Sequence, residues 1–188
     1  MTSPRITIGL TAYREGADDL AACFASVLAQ SDPRWECVAV LDGGADASTS
    51  RAFEALEHPR LRTLRQAANE GPYAGRHRAQ RESTTGWYAH LDADDRLPAG
   101  AVARVLEALD RHAREGEGEA DFVYGDYRVL PPEGGAEAAA TLRRAGEIDP
   151  DALTDGPGAT DLIPTSPIRL GLIDRLGGYA PELRRGGA

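Results

Sequence analysis

The stretch WYAHLDADDRLPAGAV, Trp87 to Val102, contains the transition that decides the fold. A short apolar run ends in three carboxylates, Asp92, Asp94 and Asp95, and a helix-forming segment begins near Pro98. Apolar runs closed by polar residues are typical of buried strands, and proline is favoured in the first turn of a helix. The sequence therefore predicts a strand, a cluster of carboxylates at its end and a helix in succession.

The alternation of strand and helix extends from this stretch across most of the chain. Strands are predicted in five segments: RITIGLTAY, WECVAVLDGG, RLRTLRQ, GWYAHL and ADFVYGDYRVL. Segments with helical spacing predict four helices: EGADDLAACFASVLAQS, ADASTSRAFEALEH, NEGPYAGRHRAQRES and LPAGAVARVLEALDRHAREG. Asp46 and Pro72 are suited to the starts of two of these helices. The pattern indicates an α/β fold with a mostly parallel sheet and helices on both faces.

Beyond Leu130 the pattern is less regular. Residues 131–147 are rich in Pro, Gly and Ala, which predicts a loop, and residues 149–167 are also predicted as loop. A short helix is predicted in IRLGLIDRL, residues 168–176, with two glycines at its end. The 188 residues show no internal repeat and fit a single domain.

Composition limits the partners and the environment. Lys and Arg total 21 against 30 Asp and Glu, and the formal net charge of -9 argues against a nucleic acid as the main partner. Cys23 and Cys37 lie in apolar segments, which predicts core thiols in a reducing compartment. No signal peptide and no run of ~18 apolar residues is visible. We expect a cytoplasmic protein without a transmembrane segment; peripheral membrane contact and a homodimer are left open.

Polar side chains follow three of the predicted strands. Thr11–Glu15 come after the first strand, Asp42–Asp46 after the second and Asp92–Asp95 after the fourth. In an open parallel sheet, ligands bind beyond the carboxyl ends of the strands. The three clusters therefore predict one binding site at that edge of the sheet.

The spacing of the aspartates indicates a metal. Asp92 and Asp94 are two residues apart, so in an extended segment their carboxylates point the same way. Convergent carboxylates form an oxygen site suited to Mn²⁺ or Mg²⁺, with a diphosphate completing the shell. The alternative is a solvated acidic turn before the helix near Pro98. An EF-hand loop is excluded, because Leu97 and Ala103 occupy its glycine and glutamate positions.

The ordered motifs ITIGLTAYRE, CVAVLDGGAD, NEGPYAGRHRA, HLDADDRLP and LGGYAPEL resemble glycosyltransferase family 2, whose members have a GT-A (Rossmann-like) fold. That family typically shows DDGS-x-D after a strand, then N-x-G-x-x-x-A-R-N, then a D-x-D-D motif. The resemblance spans nearly the whole chain. It implies metal-dependent transfer of a sugar, with inversion, from a nucleoside-diphosphate sugar to an acceptor that the sequence does not identify, whether a saccharide, a lipid-linked molecule or a small molecule.

By position in the matching motifs, the resemblance implies roles for particular residues of this chain. Nucleotide-sugar binding is assigned to Thr11, Tyr13, Glu15, Asp42, Arg76 and Asp92, and the metal, Mn²⁺ or Mg²⁺, to Asp94 and Asp95. Asp42 is expected near the base, Arg76 near the base or diphosphate, and Asp92 near the ribose. The metal is expected to neutralise the leaving diphosphate. Residues 1–130 are expected to form the nucleotide-sugar core, and residues 131–188 part of the acceptor side.

The chain departs from the family pattern in three places. Leu41–Gly44 replaces DDGS and lacks one carboxylate and one hydroxyl, which leaves the base preference open. His77 stands where the family often has Asn, and we interpret it as structural. After GGYAPELRRG the family continues to a Glu-Asp pair that supplies the general base, whereas this chain ends in GGA. The chain is then a fragment, or transfers no sugar, or takes its base from elsewhere, for example from Asp155, Asp161 or Asp174.

Two other functions agree with parts of the sequence. A non-catalytic or truncated nucleotide-sugar-binding module is compatible with the missing base motif. A sugar-phosphate nucleotidyltransferase also uses aspartates and a metal, but GLTAYREGADD is a poor match to the Gly-rich, basic phosphate loop of those enzymes.

Overall fold

The structure is a computed structural model that describes residues 2–116, 118–129, 141–144 and 165–177. Its strands are β1 (Ile6–Ala12), β2 (Trp35–Leu41), β3 (Leu61–Arg65), β4 (Trp87–Asp92), β5 (Tyr127–Val129), β6 (Thr141–Arg143) and β7 (Ile168–Arg169). Its helices are α1 (Ala17–Leu28), α2 (Ala47–Glu54), α3 (Pro72–Arg81), α4 (Ala101–Glu115) and α5 (Leu170–Arg175). The order from β1 to α4 confirms the predicted alternation.

One five-stranded sheet organises the described residues, in the order β3-β2-β1-β4-β7. The pairs β1–β2, β1–β4 and β2–β3 are parallel, and β7 runs antiparallel to β4. The chain moves outward from β1 through β2 to β3, and then places β4 on the other side of β1. This reversal of strand order produces a crevice at the carboxyl ends of β1 and β4.

The main hydrophobic core lies on one face of the sheet. There, alternate residues of β1, β2 and β4, such as Ile8, Cys37 and Leu91, pack against Leu20 of α1 and Leu106 of α4. All five side chains are fully buried. Because strand side chains alternate in direction, the neighbouring residues of each strand point to the other face.

The opposite face packs against α3 and is more polar. Its apolar cluster is built around four buried residues, Val38, Val40, Ala79 and Tyr88. Tyr88, His90 and Asp92 occupy alternate positions of β4, so their side chains point to the same face of the sheet. Helices therefore cover both faces, as predicted, and the polar residues of β4 lie under α3 rather than in the main core.

Two helix starts follow the signals in the sequence. The Asp46 carboxylate accepts hydrogen bonds from the backbone N–H groups of Ser48 and Thr49, at 2.8 and 2.9 Å, and so caps α2. Pro72 is in the first turn of α3, where its missing N–H has no intrahelical partner to lose. Both predicted starts are confirmed.

The later part of the chain corrects three predictions. The segment ADFVYGDYRVL is predicted as a fifth strand of the parallel sheet, but β5 pairs antiparallel with β6 in a separate two-stranded sheet. β6 lies within 131–147, a range predicted as loop, and β7 opens the range predicted as a short helix. β7 pairs with β4, which is remote in sequence, and strand preference depends on the pairing partner. Residues 130–140 and 145–164 lie outside the described residues.

Two expectations from composition can be compared with the structure. Cys23 and Cys37 are buried free thiols, as predicted for core residues. Burial raises the pKa of Cys37 to about 12, so its thiol stays protonated and unreactive. Among the described helices, none has both the length and the apolar character needed to cross a membrane.

Candidate functional site

The crevice at the carboxyl ends of β1 and β4 brings together three predicted site residues. Thr11 and Asp92 are paired across the β1–β4 ladder, and Thr11 Oγ1 lies 3.4 Å from Asp92 Oδ1. Arg76 reaches the same place from α3, the helix that packs over β1 and β2. The three residues therefore meet where the strand order reverses, the usual ligand position in such sheets.

A partly buried ion pair joins α3 to β4. Arg76 Nη2 donates to both carboxylate oxygens of Asp92, at 3.0 and 3.1 Å, and Arg76 Nε lies 2.8 Å from His90 Nε2. His90 Nε2 is also 2.7 Å from Asp92 Oδ1. The side chains of His90 and Arg76 are 3% and 15% exposed, whereas that of Asp92 is 32% exposed. Asp92 is therefore the member of the group most accessible to a ligand.

Burial and neighbouring charges shift the pKa values of Asp92 and His90 in opposite directions. Burial raises the pKa of Asp92, but the hydrogen bonds and charges of His90 and Arg76 outweigh it and lower that pKa to about 2. Burial lowers the pKa of His90 by more than the Asp92 carboxylate raises it. At neutral pH the site therefore contains a carboxylate, a guanidinium and a neutral imidazole.

The segment after β1 folds back through Glu15, whose Oε2 accepts a hydrogen bond of 2.6 Å from the backbone N–H of Tyr13. The Arg14 guanidinium lies over the Tyr13 ring, 4.8 Å from its centre, and donates to the Gly44 carbonyl at 3.1 and 3.2 Å. These contacts tie the loop after β1 to the loop after β2. Tyr13 and Glu15 remain partly exposed at the carboxyl end of β1.

Asp42 is the most enclosed of the predicted binding carboxylates. Its Oδ1 accepts from the backbone N–H groups of Gly43 at 2.8 Å and Glu70 at 3.0 Å, and its Oδ2 accepts from Gly71 at 3.0 Å. A Cβ on Gly43 would lie 2.3 Å from the Ala68 carbonyl carbon, so the two loops approach too closely for a side chain there. Asp42 thus joins the loop after β2 to the loop before α3.

The acidic stretch forms a turn. β4 ends at Asp92, and the backbone N–H of Asp95 donates to the Asp92 carbonyl at 3.0 Å. The extended geometry behind the expected common direction of Asp92 and Asp94 therefore ends at Asp92. Asp94 and Asp95 both reach the surface. Partial burial, together with the charges of Asp94 and Asp92, raises the pKa of Asp95.

A divalent cation bound at this turn would need oxygen atoms of a bound molecule to complete its coordination. In the described part of the chain, no group of three or more His, Cys, Asp or Glu side chains is placed to hold a metal ion. Asp94 and Asp95 nevertheless offer exposed carboxylate oxygens, which Mg²⁺ and Mn²⁺ prefer. The residues fit a divalent cation that is shared with a bound diphosphate.

His90 belongs to this site but is not among the residues predicted from the sequence. A signal was present, because His90 precedes Asp92 by two residues in a predicted strand and so shares its face. Cys23 also contacts the site, from the main core, where its Sγ–H donates to the Asp92 carbonyl at 3.4 Å.

None of the three carboxylates considered as a general base is brought to the crevice within the described residues. Asp155 and Asp161 lie outside those residues. Asp174 is on α5, which begins beside the amino end of β4, since the Leu170 N–H donates to the Gly86 carbonyl at 2.9 Å. That end of the strand is opposite to the crevice.

A cavity of about 450 Å³ lies away from this crevice, between the last turns of α4 and residues 119–124. Its lining includes His112, Glu115 and Phe122. The eight predicted site residues are all within the described part of the chain, and none of them lines this cavity. The candidate site is therefore the open crevice and not this cavity.

Comparison with solved structures defines the class of fold. S. aureus TarS 1–349 in complex with UDP matches with a TM-score of 0.72 and 17% identity, covering 97% of this chain and 52% of that one. Its complex with UDP-GlcNAc matches at 0.70 and 17%, covering 93% and 48%. The mannosyltransferase PcManGT from Pyrobaculum calidifontis, in complex with GDP-Man and Mn²⁺, matches at 0.63 and 18%, covering 97% and 49%. The protein has a GT-A fold.

Comparison of sequences gives the family. The family model described as Glycosyl transferase family 2 matches residues 7–126. The succinoglycan biosynthesis protein ExoO of Rhizobium meliloti (strain 1021) is 33% identical over 107 residues, which are 57% of this chain and 30% of that protein. This chain belongs to glycosyl transferase family 2. It spans 30% of ExoO and about half of the structural relatives.

Proposed function

We propose that this chain binds a nucleoside-diphosphate sugar with a divalent cation and transfers the sugar, with inversion, to an acceptor. The observation that carries the proposal is the crevice in which Arg76 and Asp92 adjoin the exposed carboxylates of Asp94 and Asp95. A guanidinium suits phosphate oxygens, and carboxylates suit both ribose hydroxyls and a hard cation. The ligands named for the structural relatives, UDP, UDP-GlcNAc and GDP-Man with Mn²⁺, support this reading.

The chemistry of each side chain supports a role in binding. Arg76 would donate to the base or the diphosphate, and Asp92 would accept from the ribose hydroxyls. Asp94, with Asp95, would hold Mn²⁺ or Mg²⁺, which supplies Lewis-acid neutralisation of the leaving diphosphate when bound. The remaining predicted binding residues would line the nucleotide pocket: Thr11, Tyr13, Glu15 and Asp42.

Transfer breaks the bond between the anomeric carbon and the diphosphate and forms a bond to the acceptor oxygen. Attack from the face opposite the leaving group inverts the configuration, and the acceptor proton passes to a general base. We assign no described residue to that base. Residues 1–130 are proposed as the nucleotide-sugar part, and residues 131–188 as part of the acceptor side.

Calorimetric titration of UDP and GDP, with and without Mn²⁺, tests the binding proposal. We expect Mn²⁺-dependent binding that Asp94→Ala weakens by about tenfold, or about 1.4 kcal/mol, because a ligand of the cation is lost. Glu107→Ala is the control, since it removes the same charge from an exposed position on α4. Unchanged affinity in Asp94→Ala would overturn the metal assignment, and no binding of either nucleotide would overturn the nucleotide site.

Release of UDP from UDP-GlcNAc, or of GDP from GDP-mannose, separates transfer from binding alone. Metal-dependent release to water or to an added saccharide supports transferase activity. Binding without release, under conditions where the nucleotide binds tightly, favours a nucleotide-sugar-binding module instead.

A further inference from the structure

One ring nitrogen of His90 lies within hydrogen-bond distance of two partners, one of which is a donor and the other an acceptor. Nε2 is 2.8 Å from Arg76 Nε and 2.7 Å from Asp92 Oδ1. Arginine keeps all its N–H groups in proteins, so Nε can only donate, and an ionised carboxylate can only accept. Nε2 of a neutral ring either accepts or donates. In the arrangement described, one of the two contacts is therefore always unsatisfied.

The His90 ring is neutral, so the choice is between its two tautomers. Its side chain is 3% exposed, and burial lowers its pKa. The other nitrogen, Nδ1, is buried and makes no hydrogen bond of standard geometry with the described residues. A contact with the backbone of Gly9, which is paired with His90 across the β1–β4 ladder, raises the pKa of His90 by less than Asp92 does. The partners of Nε2, at 2.7 and 2.8 Å, are therefore the stronger influence on the tautomer.

We propose that His90 is a positioning residue of the nucleotide site, which changes tautomer when a nucleoside diphosphate draws Arg76 away. Without ligand, Arg76 Nε–H donates to Nε2, and the ring proton is on Nδ1. With ligand, the guanidinium turns to phosphate or base, and Asp92 loses its Arg76 donors. The ring proton is then on Nε2 instead of Nδ1, exchanged with solvent that enters as Arg76 moves away, with no change in net charge. Nε2–H donates to Oδ1 and holds the Asp92 carboxylate in place.

This role explains why a polar ring is buried under α3. Arg76 Nη2 is the donor to both oxygens of Asp92 in the ligand-free arrangement. A carboxylate that loses such a donor must find another or lose its fixed orientation. His90 is the side chain already within hydrogen-bond distance, and its use of Oδ1 leaves Oδ2 for a ribose hydroxyl. The inference rests on the proposed function, because it requires nucleotide binding at Arg76 and Asp92.

Side-chain ¹⁵N NMR of the histidines in the full chain tests the exchange directly, with UDP or GDP and Mg²⁺ as the probe. We expect His90 to show the Nδ1–H pattern without nucleotide and the Nε2–H pattern at saturation. His58 is the internal control: it lies far from the crevice, stacked on Trp35, and its Nδ1 accepts from the Arg60 N–H at 3.1 Å. Its pattern should stay the same throughout. An unchanged His90 pattern at saturating nucleotide would overturn the inference and leave the proposed function standing.

Two variants give an independent measurement. His90→Phe keeps a buried ring without a donor, and we expect nucleotide affinity to fall about tenfold, the size of one hydrogen bond to a charged group. His90→Gln places an amide N–H₂ near the Nε2 position and should retain affinity within about threefold, since it still donates to Asp92. Equal affinities of the two variants, both folded by circular dichroism, would count against the inference. Failure of the wild-type chain to bind any nucleotide would overturn the proposed function and the inference together.

Discussion

The aspartates at the carboxyl ends of β2 and β4 look alike in the sequence but have different surroundings. Asp42 is buried and accepts three backbone N–H groups from two loops. Asp92 faces a guanidinium and an imidazole, while Asp94 and Asp95 reach the surface. The first carboxylate is thus suited to holding loops together, and the others are suited to meeting a ligand.

Replacement of Asp42 tests this structural role. Asp42→Ala leaves three backbone donors without their acceptor, and we expect the free energy of unfolding to fall by at least about 2 kcal/mol, since each buried unsatisfied donor costs about 1–3 kcal/mol. Denaturant unfolding measures the loss, and hydrogen exchange at Glu70 and Gly71 should accelerate. Glu57→Ala, at an exposed loop position, is the control and should change stability little. A full loss of nucleotide binding with unchanged stability would contradict the structural role.

At the scale of elements, the position of α3 over β1 depends on a residue without a side chain. The Tyr88 ring lies across Gly9, and the Tyr88 hydroxyl donates to the Arg76 carbonyl at 3.1 Å. A Cβ on Gly9 would lie 2.2 Å from the Tyr88 hydroxyl oxygen and 2.4 Å from a ring carbon. The packing of β4 on β1 therefore also fixes the position of the part of α3 that carries Arg76.

Gly9→Ala should destabilise the protein by about 1–3 kcal/mol, because the buried Tyr88 ring would have to shift to make room for the Cβ. Gly86→Ala is the matched control: a Cβ there meets nothing within 4 Å, and its backbone conformation accepts a side chain. Thermal unfolding of the two variants provides the comparison. Equal stabilities would show that the Tyr88 ring does not need the space above Gly9.

At the scale of the whole molecule, the two faces of the sheet differ in how apolar they are. The face under α1 and α4 is a continuous apolar core, while the face under α3 has a small apolar cluster next to the buried polar group of the crevice. Stability therefore depends mainly on the first face, and the proposed ligand site is on the second. The separation permits polar residues at the site without interrupting the main core.

Truncation of a core leucine, compared with truncation of an exposed leucine, tests the contribution of the first face. Leu106→Ala, at a fully buried position of α4, should lower the free energy of unfolding by about 2–5 kcal/mol through lost burial and a cavity. Leu176→Ala is the control, since that side chain is 70% exposed and its loss should change stability by less than about 0.5 kcal/mol. A similar small effect for both would place the main core elsewhere.

Local signals in the sequence predicted β1–β4 and α1–α4. Periodicity, Asp46 as a cap and Pro72 at a helix start each depend on neighbours within a few residues, and such signals can be read directly. The partners of β5, β6 and β7 could not be predicted, because the preference of a short strand depends on the partner it packs against more than on its own residues.

The sequence by itself determined the α/β class, the family and the gathering of polar residues at the carboxyl ends of strands, since these follow from local pattern and ordered motifs. Only the tertiary structure decided that β4 lies beside β1, that Arg76 from α3 meets His90 and Asp92, and that Asp42 holds backbone N–H groups 28 and 29 residues away. The physical reason is that hydrogen bonds and charge pairs require atoms within a few ångströms, and that proximity arises from packing across the sheet.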